Sequence, residues 1–265
     1  MDLQIEKYAV EDAVERYFGV PKFADMKDEN RPSTTADVIR TLGELGVMLC
    51  GGAINSIMTG TKINDLDFYV TGEAPVSEVQ AYLGKFFTEP PYVTDNAVTY
   101  KRKSTSSRKV WTVQLITRFI GDAQYVLDTF DFTITQGVYD FATKDFIFGD
   151  RFLQDIAKRR LVYLGKSHYP ICAMHRTKKY QARGYYLPGS TIMHIALSIV
   201  RLEITNYKQL KEQLMGIDTS YLTDLLNHEK YNDALPVDFG MFLAEAFEKI
   251  TGISQDDIEQ SDGDS

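Results

Sequence analysis

Between Leu3 and Phe18 the apolar residues Ile5, Tyr8, Ala9, Ala13 and Tyr17 recur near helical spacing, which predicts a helix ended at Gly19. The Pro, Gly and charge content of GVPKFADMKDENRPS predicts a loop. Thr34 followed three residues on by Asp37 has the form of a capping box, opening a second helix through about Leu45. VMLC, residues 47–50, is a short buried strand, and AINSIM is a helix started by Gly51 and Gly52 and stopped at Gly60. DLDFYV follows as another strand. Its alternation sets Asp65 and Asp67 on one face and Leu66 and Phe68 on the other.

Further on, Val79, Leu83 and Phe86 form the inner stripe of a helix over 76–87. AVTYKR and VWTVQLITRF are two strands joined by a basic, Ser/Thr-rich loop at 103–109, the pattern of an antiparallel hairpin. FDFTITQGVYDF and DFIFGD supply two more short strands, with Asp131 alternating against Phe130 and Phe132. From Arg151 the periodicity turns helical, over 151–158, 172–185, 192–214, 221–227 and 237–250. The expected fold class is α+β: a mixed-sheet head with N-terminal helices at 1–150, then a helical lobe at 151–254. Residues 255–265 hold five acids and no base, and are expected to be a disordered tail.

Charge changes the picture because it is unevenly placed. The net charge is −8, yet residues 156–202 contain no acid while holding Lys158, Arg159, Arg160, Lys166, Arg176, Lys178, Lys179, Arg183 and Arg201. A second basic cluster, KRKSTSSRK, spans Lys101 to Lys109; it suits either a nucleic-acid backbone or a flexible hairpin tip. No apolar run approaches the roughly 20 residues needed to cross a bilayer. The first 18 residues are acidic and amphipathic, unlike a secretory signal, so a cytoplasmic protein is expected. Cys50 and Cys172 lack CxxC or metal-ligand spacing, which argues against a disulfide scaffold or a zinc site.

The chemistry concentrates at residues 49–70. Two carboxylates on one strand face make an oxygen-ligand site for a hard divalent cation, and Mg2+ with few protein ligands also holds substrate phosphates. A Gly-Gly turn feeding a helix start uncovers backbone N–H groups beside the positive end of the helix dipole, which suits phosphate oxygens. The bland alternative is that Gly51 and Gly52 only punctuate the helix start. Together the two features point to nucleotidyl transfer from an NTP such as ATP. Arg176, Lys179 and Arg183 would share one helical face with Tyr180 beside them to stack on a base.

These residues resemble a known family. LCGG, twelve residues, then DLDF is similar to the signature of DNA polymerase β superfamily nucleotidyltransferases. FDFTITQGVYDFATKDFIFGDRFLQDIAKRRLVYLG resembles the head domain of CCA-adding enzymes and bacterial poly(A) polymerases, matching at Asp131, Phe132, Thr133, Ile134, Tyr139, Asp140, Asp150, Asp155 and Arg159. RTKKYQARGYY is similar to a further segment of those enzymes, at Arg176, Lys179, Tyr180, Gly184 and Tyr185. The resemblance implies a polymerase β-like fold with Asp65 and Asp67 as catalytic metal ligands. It implies triphosphate contacts from Gly51, Gly52 and Asn55. Asp131 would contact the sugar, complete the metal set or serve as a structural hydrogen-bonding group.

The departures are specific. Asn55 stands where the family carries a triphosphate-binding arginine. Gln114 stands at or beside the third metal-site acid, unless Asp131 or Asp128 comes into reach. The family's base-reading acid and arginine align onto Tyr169, Pro170 and Ala173, so the CCA-type base template is absent. The compact form looks like nucleotidyltransferases of bacteriophages and of bacterial toxin or defence systems. The expected activity is Mg2+-dependent transfer of a nucleoside monophosphate to a hydroxyl. The expected acceptor is an RNA 3′ end, tRNA among the candidates. A protein acceptor and a catalytically inactive nucleotide- or RNA-binding module stand as alternatives, and no membrane partner is expected.

Overall fold

The computed structural model describes residues 3–21, 34–103, 109–214, 236–238 and 240–241. The chain divides into two compact units, Met1–Lys166 and Ser167–Ser265. The first begins with α1 (Leu3–Phe18), α2 (Thr35–Glu44), β1 (Val47–Cys50), α3 (Gly52–Thr59) and β2 (Asp65–Val70). It continues with α4 (Val76–Gly84), β3 (Tyr92–Val93), β4 (Ala97–Lys103), β5 (Val110–Ile120) and α5 (Ala123–Asp128). A 3-10 turn (Thr133–Thr135), β6 (Gly137–Asp140), β7 (Asp145–Phe148) and α6 (Phe152–Ala157) complete its described elements.

Local chemistry accounts for most of these boundaries. The Thr34 hydroxyl accepts from the Asp37 N–H while the Asp37 carboxylate accepts from the Thr34 N–H, so the capping box starts α2. The strands form one sheet in the order β3-β4-β5-β2-β1-β6-β7 among the described residues. β2 and β5 run parallel and the other neighbours antiparallel, so the sheet is mixed.

The two faces of the sheet are treated differently. Leu49, Leu66, Phe68, Val113, Leu115, Val98 and Tyr100 point to the face covered by the first helices and are buried. Phe18 of α1 stacks on Phe68 with ring centroids 6.0 Å apart, and Phe87 lies 5.3 Å from Tyr100. On the other face α5 covers only part of the sheet, packing with Phe130 over Met48, Cys50, Tyr69 and Val138. The rest of that face carries Asp65, Asp67, Thr112, Gln114 and Thr99, all half-exposed.

Two expectations need correction in this unit. Phe130 to Phe132 is not a strand. Phe132 makes an isolated bridge to Tyr163, the Thr133 N–H donates to the Val162 carbonyl and the Leu164 N–H to that of Asp131. The Thr135 hydroxyl turns back to the Phe132 carbonyl at 2.8 Å, which closes the 3-10 turn in place of a ladder. The helix expected over 76–87 stops at Gly84.

The second unit contains α7 (Pro170–Ala182), α8 (Gly189–Val200) and α9 (Tyr207–Leu214). A single helix over 192–214 is not formed. Glu203 has φ 46°, and the Asn206 side chain accepts from the Gln209 N–H while Gln209 accepts from the Thr205 N–H, which opens a new helix. The helix expected at 221–227 and the acidic tail lie outside the described residues, as does most of that at 237–250. Among the described residues no helix is long and apolar enough to cross a membrane.

Candidate active site on the mixed sheet

The turn after β1 sets the geometry. Cys50 lies opposite Asp67 in the β1–β2 register, so the chain leaves β1 level with the acid pair. Gly51 has φ 74° and ψ −130°, a conformation that essentially requires glycine, and a Cβ there would come within 3.1 Å of the Phe130 ring. Its N–H donates to the Gly137 carbonyl at 2.9 Å, which anchors the turn to β6. Gly51 supplies no side-chain cap to α3, and a helix start without such a cap is of the kind that suits an oxygen ligand.

Asp65 and Asp67 occupy the same sheet face, as alternation requires, and both are half-exposed between the buried Leu66 and Phe68. Asp65 makes no hydrogen bond or ion pair among the described residues. Its charge is felt nearby: the Tyr17 hydroxyl, which donates to the Ile63 carbonyl at 2.9 Å, has its pKa pushed up by burial first and by Asp65 next. Cys50 is fully buried, and burial, then Asp67, pushes its thiol pKa up. That thiol stays protonated and inert.

Gln114 lies directly across the β2–β5 pair from Asp67, and its amide donates to the Thr99 hydroxyl at 3.4 Å. A neutral amide therefore occupies the place beside the acid pair. Asp128 is drawn to Lys166 at 3.3 Å. No group of three or more His, Cys, Asp or Glu side chains able to hold a metal occurs among the described residues. Two half-open carboxylates still fit one Mg2+ whose remaining ligands come from substrate phosphates and water.

Other expected site residues have surroundings of their own. Asn55 is fully buried and its amide donates to the Ile134 carbonyl at 2.9 Å, so it braces α3 against the 3-10 turn instead of facing a triphosphate. Asp131 is 6% exposed in the segment held by Val162 and Leu164, and it does not complete a three-acid cluster with Asp65 and Asp67. In the second unit, Arg176 and Lys179 lie on α7 while Arg183 falls at its C-terminal cap. Tyr180 is 3% exposed, packed edge-on against Tyr185, with the Arg183 guanidinium 6.0 Å from its ring centre. Its ring is a core element and offers no open face to a base. The three-cation helical face loses its last member because Gly184, at φ 83°, ends the helix.

The register also shows which side chains lie alongside the acid pair on the same face. Thr112, Thr99 and Lys101 share the face of the acid pair; their parity along β4 and β5 was visible, but the register that aligns them was not. Asp155 was only a motif match. It is fully buried and accepts from the Thr133 hydroxyl at 2.7 Å and from Arg151 and Arg160, each at 3.3 Å, which fixes the segment after Asp131.

Known proteins share the fold and, over part of the chain, the sequence. A CCA-adding enzyme solved with CTP superposes with a TM-score of 0.50 at 17% identity, covering 91% of this chain and 59% of that one. The Thermotoga maritima CCA-adding enzyme complexed with tRNA aligns with a TM-score of 0.48 at 18% identity, over 82% of this chain and 53% of that one. The likeness to the enzyme solved with CTP shows the fold, α+β with a mixed sheet, as the sequence leads one to expect. A curated relative, "Gabija anti-defense 2" of Bacillus phage SPbetaL7, is 28% identical over 223 residues, 83% of this chain and 52% of its own length. The chain spans about half the length of that relative. The model of the Gabija anti-defense 2 family protein matches residues 20–159, just over half of the sequence, and the chain belongs to that family.

Proposed function

We propose that this protein is a nucleotidyltransferase that moves a nucleoside monophosphate from an NTP to a hydroxyl, with an RNA 3′ end as the acceptor. The observation that carries the reading is the half-exposed pair Asp65 and Asp67, on one face of β2 and level with the Gly51–Gly52 turn. Asp65 and Asp67 would hold Mg2+, which when bound neutralises phosphate charge and stabilises the leaving pyrophosphate. Gly51 and Gly52 let the backbone approach the triphosphate, and the first N–H groups of α3 donate to its oxygens. The acceptor oxygen bonds to the α-phosphorus, the bond to the β-phosphate bridging oxygen breaks, and pyrophosphate departs. The acceptor proton passes to water at the open face. A fold shared with an enzyme solved with CTP supports a nucleotide as the substrate.

A second reading has its own support. Gln114 beside Asp67, with no third metal-site acid among the described residues, favours a module that binds nucleotide without turnover. The anti-defense family adds a protein of the host defence as the alternative acceptor or partner. Incubation with α-labelled NTPs, total RNA and lysate separates these readings. Label on RNA with pyrophosphate release is expected. Label on protein supports the alternative acceptor, and tight NTP binding with no label anywhere supports the inactive module. Transfer that survives Asp65→Asn with Asp67→Asn refutes the site.

A further inference from the structure

Register across the sheet extends the acid pair into two rows. Asp65 lies beside Thr112, and Thr112 beside Lys101. Asp67 lies beside Gln114, Gln114 beside Thr99, and Thr99 beside Tyr92 on β3. Paired residues in a sheet point to the same face, so all of these side chains share the face of the acids. Strands spaced about 4.8 Å apart put Tyr92 about 14 Å and Lys101 about 10 Å from the acid-bearing strand.

The chemistry of this strip is selective. Lys101 is exposed, and it makes no ion pair or ring contact among the described residues. The neighbouring cations are engaged: Lys103 with Glu89 at 2.8 Å, Arg102 with the carbonyls of Arg16 and Tyr17, and Lys109 over the Trp111 ring at 3.5 Å. Tyr92 is 69% exposed. Between them stand the donors Thr99, Thr112 and Gln114, with no acid in either row beyond β2. A free ammonium, hydroxyls and an amide suit phosphodiester oxygens, and an open aromatic face suits a base.

In-line displacement decides the direction of approach. With the triphosphate held at the Gly51–Gly52 turn as proposed above, the pyrophosphate would leave on the β1 side of the acids, so the attacking hydroxyl would arrive from the opposite side, over β5. On the β1 side the same face is closed by α5 and Phe130. We infer that the acceptor is a single-stranded polynucleotide lying over β5, β4 and β3, its backbone against Lys101 and a base on Tyr92. This rests on the proposed transfer at Asp65 and Asp67.

Anisotropy of a 5′-labelled single-stranded oligoribonucleotide, alongside calorimetry with a non-hydrolysable NTP and Mg2+, tests the inference on the full chain. Lys101→Glu should weaken oligonucleotide binding about tenfold and lower its salt slope by about one, and Lys101→Gln should show a smaller loss in the same direction. Tyr92→Ala should weaken it by about tenfold with an unchanged salt slope. NTP binding should stay the same in all three. Unchanged oligonucleotide affinity in all three variants, or a wild-type chain that binds NTP but no oligonucleotide, overturns the strand site while leaving the nucleotide site standing. Oligonucleotide binding that responds as described in a chain that binds no NTP supports the strand site and ends the proposed transfer.

Discussion

Asp155 and Asp65 both sit in apolar stretches of sequence, FLQDIA and INDLDF, and the fold treats them in opposite ways. Asp155 has no exposed surface and takes a hydroxyl and two guanidinium groups. Asp65 stays half-open, with neither ion pair nor hydrogen bond among the described residues. A carboxylate buried without partners forfeits several kcal/mol of hydration, so a structural acid must be saturated with donors. An acid left at an open face next to a second acid contributes little to folding, and mutual repulsion makes the pair slightly unfavourable. The contrast teaches how to tell a brace from a candidate site within one unit: saturation marks the first, and a half-exposed acid without ion pair or hydrogen bond among the described residues, set beside a second acid, marks the second.

The largest effect expected is on activity. Asp65→Asn with Asp67→Asn should cut NMP transfer by about a thousandfold or more while leaving thermal stability equal to or slightly above that of the parent. A double variant that melts well below the parent would make the pair structural and erase the contrast. Asp155→Asn should do the reverse, lowering the unfolding free energy by about 3 kcal/mol in denaturant titration. Its guanidinium partners are partly exposed and can turn to water, which keeps the cost at the lower end for a broken buried pair.

Gly51→Ala should cost about 1–3 kcal/mol in the same titration through its positive φ and the Phe130 contact, and should weaken NTP binding measured by calorimetry. Gln114→Asp sharpens the comparison from the other side. It places a third carboxylate across from Asp67, so without Mg2+ the fold should lose up to about 1 kcal/mol from cross-strand repulsion. Mg2+ should restore that loss, seen as a larger Mg2+-induced rise in melting temperature than in the parent.

The smallest effect belongs to a remote control. Thr34→Ala should cost about 1 kcal/mol and leave nucleotide binding unchanged. The Asp37 carboxyl is held below the ordinary carboxylate value of 3.8 by the Thr34 hydroxyl first and the Thr34 N–H second. Its contribution is therefore complete above pH 3.8 and fades as the pH falls through the lower folded value. Acid melts of the Thr34→Ala chain should lose that part of the slope.

Features written by neighbouring residues were legible in the sequence. The run of β1, the glycine turn, α3 and β2 follows from apolar spacing and two glycines, and the acid pair's shared face follows from alternation alone. What escaped depends on distant partners. Alternation in FDF suggests a strand, but the Thr133 hydroxyl reaches Asp155 across 22 residues and the segment turns. Helical spacing puts Tyr180 beside the α7 cations, yet Tyr185, beyond the break at Gly184, packs against it and buries it. Lys101 and Asp65 share a row only through the pairing of three strands, which no local pattern encodes. Asn55 was expected at the triphosphate because it stands where the resembled family carries an arginine, and the Ile134 carbonyl on the 3-10 turn claims its amide.

Calorimetric titration of a non-hydrolysable NTP into the wild-type chain and the Asp65→Asn, Asp67→Asn chain, with and without Mg2+, tests the central claim most directly. Binding that requires Mg2+ in the wild type and disappears in the variant is the predicted result. Equal binding by both chains, indifferent to Mg2+, would contradict it.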